Sequence, residues 1–274
     1  MNGPLDPEPT DAEPTDTAPT GTALMDNAPT AAADFYTGIV AEVYDALRST
    51  SFGAERYLDF VRRVGEPALE LGCGDEGPFL ELAAQGIDIE GVDSSQDMLD
   101  RCAVHAAARG FTVITHCQPM ESLALQRRYR SIYLAGPTFN LVPDDELAGR
   151  ALGRIAAHLE PGGEVLVPLW IPAATPSEQF GQTRTATTSD GATARYIVDS
   201  ECYDTAARTR STSTTYELDD GVRTTRVDRE WIIHWHTPEG FDALSRSAGL
   251  AAEISPVENG EFTALLRHAG AGFS

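Results

Sequence analysis

The chain has 274 residues, 42% of them apolar, enough for one large α/β domain that carries an insertion. Its formal charge is -22, and all 20 basic residues are arginine. So acidic a field repels nucleic acid and anionic membranes, and the lack of lysine excludes Schiff-base chemistry and a Gly-Lys-Ser/Thr phosphate loop.

Cys73, Cys102, Cys117 and Cys202 form no Cys-x-x-Cys unit, which argues against a zinc ribbon or a disulfide scaffold and suits a reducing cytoplasm. The N-terminus is acidic and proline-rich rather than basic and then apolar. Neither a signal peptide nor a membrane span is therefore expected, and the chain is read as cytoplasmic. Residues 1–33 repeat "EPTD" and "APT" without a single arginine. Such a segment buries too little apolar surface to offset its ordering entropy, so it reads as a disordered tail ahead of a domain at 34–274.

From Asp34, an N-cap candidate, "DFYTGIVAEVYDALRS" spaces Tyr36, Ile39, Val40, Val43, Tyr44 and Leu47 as one helical stripe. "RYLDFVRRV" predicts a second helix. "ALEL" reads as a buried strand running into a loop with Gly72, Gly74 and Gly77 in Gly-x-Gly-x-x-Gly spacing. Helix and strand then alternate: "GPFLELAAQ", "IDIEGVD", "SQDMLDRCAVHAAARG", "TVITHC", "SIYLAGP", "PDDELAGRALGRIAAHL", a "PGG" turn and "EVLVPLW". That order predicts βαβ units in a doubly wound, mostly parallel sheet. Residues 171–236 switch to a two-residue period with hairpin signals at Ser189–Gly191 and Asp219–Gly221, which reads as an antiparallel lid insert. "TPEGFDALSRSAGL" returns to helix, and "EFTALLRH" supplies a last strand.

The glycine loop is flanked by Glu70 and contains Asp75 and Glu76. Carboxylates there would oppose the pyrophosphate of a dinucleotide. They would welcome a ligand with an ammonium and a sulfonium, as S-adenosylmethionine has. Asp93 closes the next strand about 20 residues past the loop, where an acid hydrogen-bonds ribose hydroxyls in this architecture; capping of the following helix is its other reading.

"LELGCGDEG", "GVDSSQDML", "HCQPMESL" and "LEPGGEVLV" together resemble successive motifs of the class I S-adenosylmethionine-dependent methyltransferases, over a stretch from about Asp34 to the C-terminus. The resemblance implies a seven-stranded sheet. It implies that Glu70 and Gly72, with Cys73 and Gly74, line the methionine moiety and that Asp93, with Ser94, meets the ribose. Met98 would flank adenine, and Gln118, Pro119 and Met120 would edge its ring, with Ala135 beside them at the end of its strand. Gln118 stands where an acid is more common, and its amide oxygen can accept the adenine amino group. The insert resembles the lid of small-molecule N-methyltransferases from bacterial antibiotic pathways, such as sugar-amine and lincosamide enzymes. The arginine-only, alanine-rich composition looks actinobacterial.

Methyl transfer requires an aligned nucleophile, excluded water and sometimes a base. Tyr36 and Tyr44 on the leading helix are candidates, Tyr44 also for the cofactor's amino-acid end. In "REWIIHWHTPEG", alternation places His234 and His236 on one face and Trp231, Ile233 and Trp235 on the other. This gives either a base with an aromatic substrate wall, including Trp235, or a lid strand with one packed and one solvated face. Phe139 and Asn140 follow a strand end where ligand contacts fall, although Phe139 equally suits the core. Arg195, Arg208 and Arg210 read as a solvated face of the insert. No carboxylate has Glu-x-x-His-type spacing to join the two histidines, so no metal is expected.

The leading expectation is methylation of a small nitrogen-containing natural product, at an amine nitrogen. The alternatives are carbon methylation of an electron-rich heterocycle, such as C3 of indole or of a tryptophan-derived diketopiperazine, and a non-catalytic cofactor-binding regulator. The expected partner is a small molecule, neither nucleic acid nor membrane, and the sequence permits a homo-oligomer.

Overall fold

The computed structural model describes residues 35–47 and 52–270. The predicted N-terminal tail and the N-cap candidate Asp34 lie outside these residues.

A seven-stranded sheet forms the centre. Its strands are β1 (Ala68–Leu71), β2 (Ile89–Asp93), β3 (Ile114–Cys117), β4 (Tyr129–Leu134), β5 (Leu159–Trp170), β10 (Leu250–Ile254) and β11 (Glu261–His268). The order is β10-β11-β5-β4-β1-β2-β3. The β1, β2, β3, β4 and β5 pairings are parallel, whereas β11 runs antiparallel to both β5 and β10. The sheet is thus doubly wound, and its strand order reverses beside β1, where open α/β sheets place their ligand crevice.

Alternation assigns side chains to the two faces. Ile132, Leu134, Val165 and Val167 pack with Ala148, Leu152 and Ile155 of α5 (Asp145–His158). Tyr133 and Leu166 face the opposite way, into a core shared with α2 (Ala54–Val64), α3 (Gly77–Ala84) and α4 (Gln96–Ala108). Because both faces are covered, all four residues of β1 are buried, Glu70 included.

A second, antiparallel sheet, β6 (Thr183–Thr187), β7 (Thr193–Asp204), β8 (Thr209–Asp219) and β9 (Thr224–His234), forms the insert. Both predicted hairpin signals fall at its turns. The turn from β7 to β8 carried no such signal: Asp204 Oδ1 accepts the amides of Ala206 and Ala207 at 2.8 and 2.9 Å, so an aspartate does the work of a glycine turn. Phe35, Val40 and Val43 from the leading segment pack on Ala194 and Tyr216 of this sheet.

Three expectations need correction. The leading helix, α1 (Ile39–Leu47), starts later than predicted, because Gly38 adopts φ 55° and separates it from Phe35 and Tyr36. Strand β10 was missed: "LAAEI" is a short, half-buried edge strand with a weak apolar pattern. The "PGG" turn lies inside β5, where pairing with β4 jumps from Tyr129↔Leu159 to Ser131↔Glu164. A final helix, α6 (Pro238–Ser247), leads into β10.

Candidate active site

The loop after β1 is fastened to β2 through its backbone. Gly72 and Cys73 amides both donate to the Val92 carbonyl, at 2.7 and 3.0 Å. The Gly74 amide donates to Asp93 Oδ2 at 2.9 Å, while Asp93 Oδ1 accepts the Ser95 amide at 2.9 Å. Asp93 does not cap α4; Ser95 does, with its side chain accepting from the Met98 amide. Gly72 has φ 70°, and a Cβ there would sit 2.4 Å from Thr138 Cγ2. A side chain at 72 is opposed by both conformation and space.

The three loop carboxylates have different surroundings. Asp75 is buried and its Oδ2 receives Arg101 Nε at 3.2 Å, while Arg101 Nη2 reaches Asp45 of α1 at 2.6 Å. Glu76 and Glu81 both bind Arg109. Two of the three acids are therefore held by arginines of α4 and its C-terminal cap. Glu70 has no such partner. Tyr133 Oη donates to Glu70 Oε2 at 2.6 Å, and among the described residues the buried Oε1 has no hydrogen-bond partner. Burial pushes the Glu70 carboxyl up to about 8, against the lowering effect of the Tyr133 bond and with Asp93 adding to the rise.

The loop after β1, with Glu70, Asp75, Glu76, Asp93 and Thr138, lines a cleft of about 1080 Å³. Every residue that the resemblance assigned to the cofactor lies on its wall. Tyr36 and Tyr44 close one side, their rings T-shaped with centroids 5.0 Å apart. Desolvation, helped by the neighbouring Tyr44, raises the Tyr36 hydroxyl well above its ordinary value. Polar contacts help dock the leading segment: Ser95 Oγ donates to the Tyr36 carbonyl at 2.6 Å, the Gly38 amide to Asp97 at 2.7 Å, and Arg101 to Asp45.

Residues 68–163, the span from β1 into β5, match the methyltransferase domain family. The chain is 28% identical over 225 residues to the dTDP-3-amino-3,4,6-trideoxy-alpha-D-glucopyranose N,N-dimethyltransferase of Streptomyces venezuelae, covering 78% of this chain and 90% of that enzyme. It is 27% identical over 232 residues to the dTDP-3-amino-3,6-dideoxy-alpha-D-glucopyranose N,N-dimethyltransferase of Streptomyces fradiae, covering 81% and 87%. The crystal structure of Streptomyces venezuelae DesVI superposes with a TM-score of 0.67 at 21% identity, over 85% of this chain and all of that one, and shares its fold.

This chain is a class I S-adenosylmethionine-dependent methyltransferase.

The residues present fit the methyltransferase's cofactor. A buried carboxylate oxygen without a partner, Glu70 Oε1, stands on the cleft wall where an ammonium can meet it. Gln118 departs from expectation. It lines the cleft, but its Oε1 already accepts the Ala124 amide at 2.8 Å.

The residues read as the methyltransferase's acceptor side are placed differently. His234, Trp235, His236 and Phe139 do not line the cleft. Phe139 is fully buried against His236 and Phe241, a core residue rather than a ligand contact. Trp235 is buried and stacks on Tyr203 at 5.0 Å. The two histidines do meet, with ring centroids 4.9 Å apart, but they face Asp145 at the start of α5. Burial pushes His236 down to about 4, with His234 adding to the effect. Neither face of the β9 end is solvated, because both histidines are buried as Trp235 is. Arg208 binds Asp145 of α5. Arg195 lies beside the insert's acids Glu217 and Asp219 as expected, whereas Arg210 meets an insert acid, Glu201 at 3.7 Å, but is largely buried over the Trp170 ring at 4.8 Å.

Sequence reasoning missed Asp45, Phe52, Glu121, Thr138, Leu141 and Leu147 as cleft residues. Only Thr138 left a trace: "GPTFN" follows β4 directly, at a strand end.

Proposed function

We propose that this methyltransferase transfers a methyl group to an amine nitrogen of a small natural-product molecule. The observation that carries this reading is the position of His234 and His236. Both lie off the cleft wall, so neither is placed to take the ring N–H proton that carbon methylation of an indole would release. A neutral amine brings its own lone pair, and its demand on the protein is alignment and exclusion of water. The cleft answers that demand with Tyr36 and Tyr44 over one side. The two Streptomyces relatives, each an amino-sugar N,N-dimethyltransferase by name, support the same acceptor atom.

Bound S-adenosylmethionine supplies an electrophilic methyl on a sulfonium. The chain's own residues do the rest. Glu70 holds the ammonium end, Asp93 the ribose, and Met98 packs beside the adenine. Tyr44 and Tyr36 cover the sulfonium region and keep water from it. Once an ammonium draws off its proton, the Glu70 carboxylate favours a cationic over an anionic ligand.

Incubation with labelled cofactor and a panel of amines, amino sugars, amino acids, indoles and diketopiperazines tests this reading. Mass spectrometry and NMR would then locate the new methyl group. Label on nitrogen supports it. A methyl on an indole carbon, with every amine left unmodified, overturns it.

A further inference from the structure

Away from the cleft, three ligand-bearing side chains converge from distant parts of the chain. His234 ends β9, His236 lies in the link to α6, and Asp145 opens α5. His234 Nε2 is 3.0 Å from Asp145 Oδ1, and His236 Nδ1 is 3.5 Å from the same oxygen. One ligand atom from each residue falls within 4.8 Å of the others.

Hydrogen bonding accounts for only one edge of this cluster, His234 Nε2 to Asp145 Oδ1. His236 has a fully buried side chain, and among the described residues neither of its ring nitrogens has a hydrogen-bond partner; nor does His234 Nδ1. A neutral imidazole always carries one N–H donor and one acceptor, and leaving such groups buried and unmet is costly. The rings of Phe139, Phe241 and His234 pack around His236.

The geometry points to a divalent-cation site, suited first to zinc, held by Asp145, His234 and His236. A tetrahedral ion with bonds of about 2.0–2.2 Å keeps its ligands about 3.3–3.6 Å apart along each edge. Of the two distances to Asp145 Oδ1, 3.5 Å falls in that range and 3.0 Å just below it, and the histidine nitrogens, within 4.8 Å of one another, would draw together on the ion. Two imidazoles and one carboxylate form a donor set that zinc accepts, with the fourth position left for water. Asp145, whose side chain is 47% exposed, provides the route for that water, whereas the histidines close the inner side. Arg208 holds Asp145 Oδ2 and so leaves Oδ1 as a single, oriented ligand atom. The positive charge of Arg208 and the N-terminal dipole of α5 oppose a cation, so the expected affinity is micromolar rather than that of a thiolate site.

The position gives the ion a structural task. Pro143 and Leu147, which flank Asp145, line the cleft, and β9 is the last strand of the lid sheet. An ion here would pin the lid's exit strand to the cleft wall without touching the reacting atoms.

The test uses the full chain with Cys117→Ser and Cys202→Ser, because these exposed thiols bind zinc adventitiously. The protein is dialysed against zinc sulfate, then metal-free buffer, and assayed by elemental mass spectrometry and competition with a chromophoric chelator. The expected result is one zinc per chain. Asp145→Asn and His236→Phe should each weaken it by at least about 100-fold, since each removes a ligand outright. Chelation should lower the melting temperature of the parent but not of Asp145→Asn. Should His236→Phe fail to fold, Asp145→Asn, altered at a half-exposed side chain, still decides the matter. Less than a tenth of an equivalent of zinc overturns the proposal, and so does wild-type zinc content in Asp145→Asn.

Discussion

Tyr133 and Glu70 form a buried pair on neighbouring strands: the phenol donates to Oε2 at 2.6 Å and leaves Oε1 with no partner. The pair is set by register, because β1 and β4 align Glu70 with Tyr133 and point both toward the core beneath α2, α3 and α4. The carboxyl is thereby oriented yet starved of solvation. An arriving ammonium relieves that shortage.

Binding of S-adenosylhomocysteine at pH 7 should therefore release protons. Glu70 titrates near 8 in the free protein and is mostly protonated at pH 7, while an ammonium beside it favours the carboxylate. Calorimetry in buffers of different ionisation enthalpy would measure the release, and affinity should rise as the pH approaches 8. Glu70→Gln should abolish the release and weaken binding by about 1.5–3 kcal/mol, the range for a hydrogen bond to a charged group.

The same group sets a stability trend with a definite sign. Its folded value lies above the ordinary 4.5, so the folded chain binds the extra proton between those limits. The contribution is full below about pH 4.5 and is lost as the pH rises through about 8. Melting curves of ligand-free protein should show this decline, and Glu70→Gln should flatten it. An equal decline in both proteins would show that Glu70 is not its source.

Asp93→Ala should weaken S-adenosylhomocysteine binding by about 1.5–3 kcal/mol and also lower the melting temperature. The double effect arises because Asp93 anchors the Gly74 and Ser95 amides before any ligand arrives. A variant that binds poorly but melts like the parent would separate the two roles.

Gly72→Ala should destabilise the fold by about 1–3 kcal/mol, through both the left-handed conformation and the contact with Thr138. Thr138→Gly in the same chain should recover only part of the loss, because space is restored while the backbone strain persists.

Phe139→Ala should cost about 3–5 kcal/mol of stability, as emptying a packed aromatic site does. Its folded fraction should keep a near-normal KM for the acceptor, because Phe139 is sealed in the core. A large KM change in a fully folded variant would return Phe139 to the cleft.

Local pattern determined much of this protein from sequence alone. The run "LELGCG", Asp93 and the strand–helix alternation specify the doubly wound sheet, because a strand buried on both faces and a loop of glycines each leave a signal within a few residues. The wall residues attached to strand ends, from Glu70 to Met120, were legible for the same reason. Tertiary structure alone decided the partners. Asp75 and Glu76 look alike in the loop, yet arginines of α4 and its C-terminal cap hold both and leave Glu70 as the unmatched carboxylate. His234 and His236 look like a lid base until the tertiary structure brings the end of β9 to Asp145, 89 positions from His234. Strand alternation reports which way a side chain points, but not what a distant segment places in front of it.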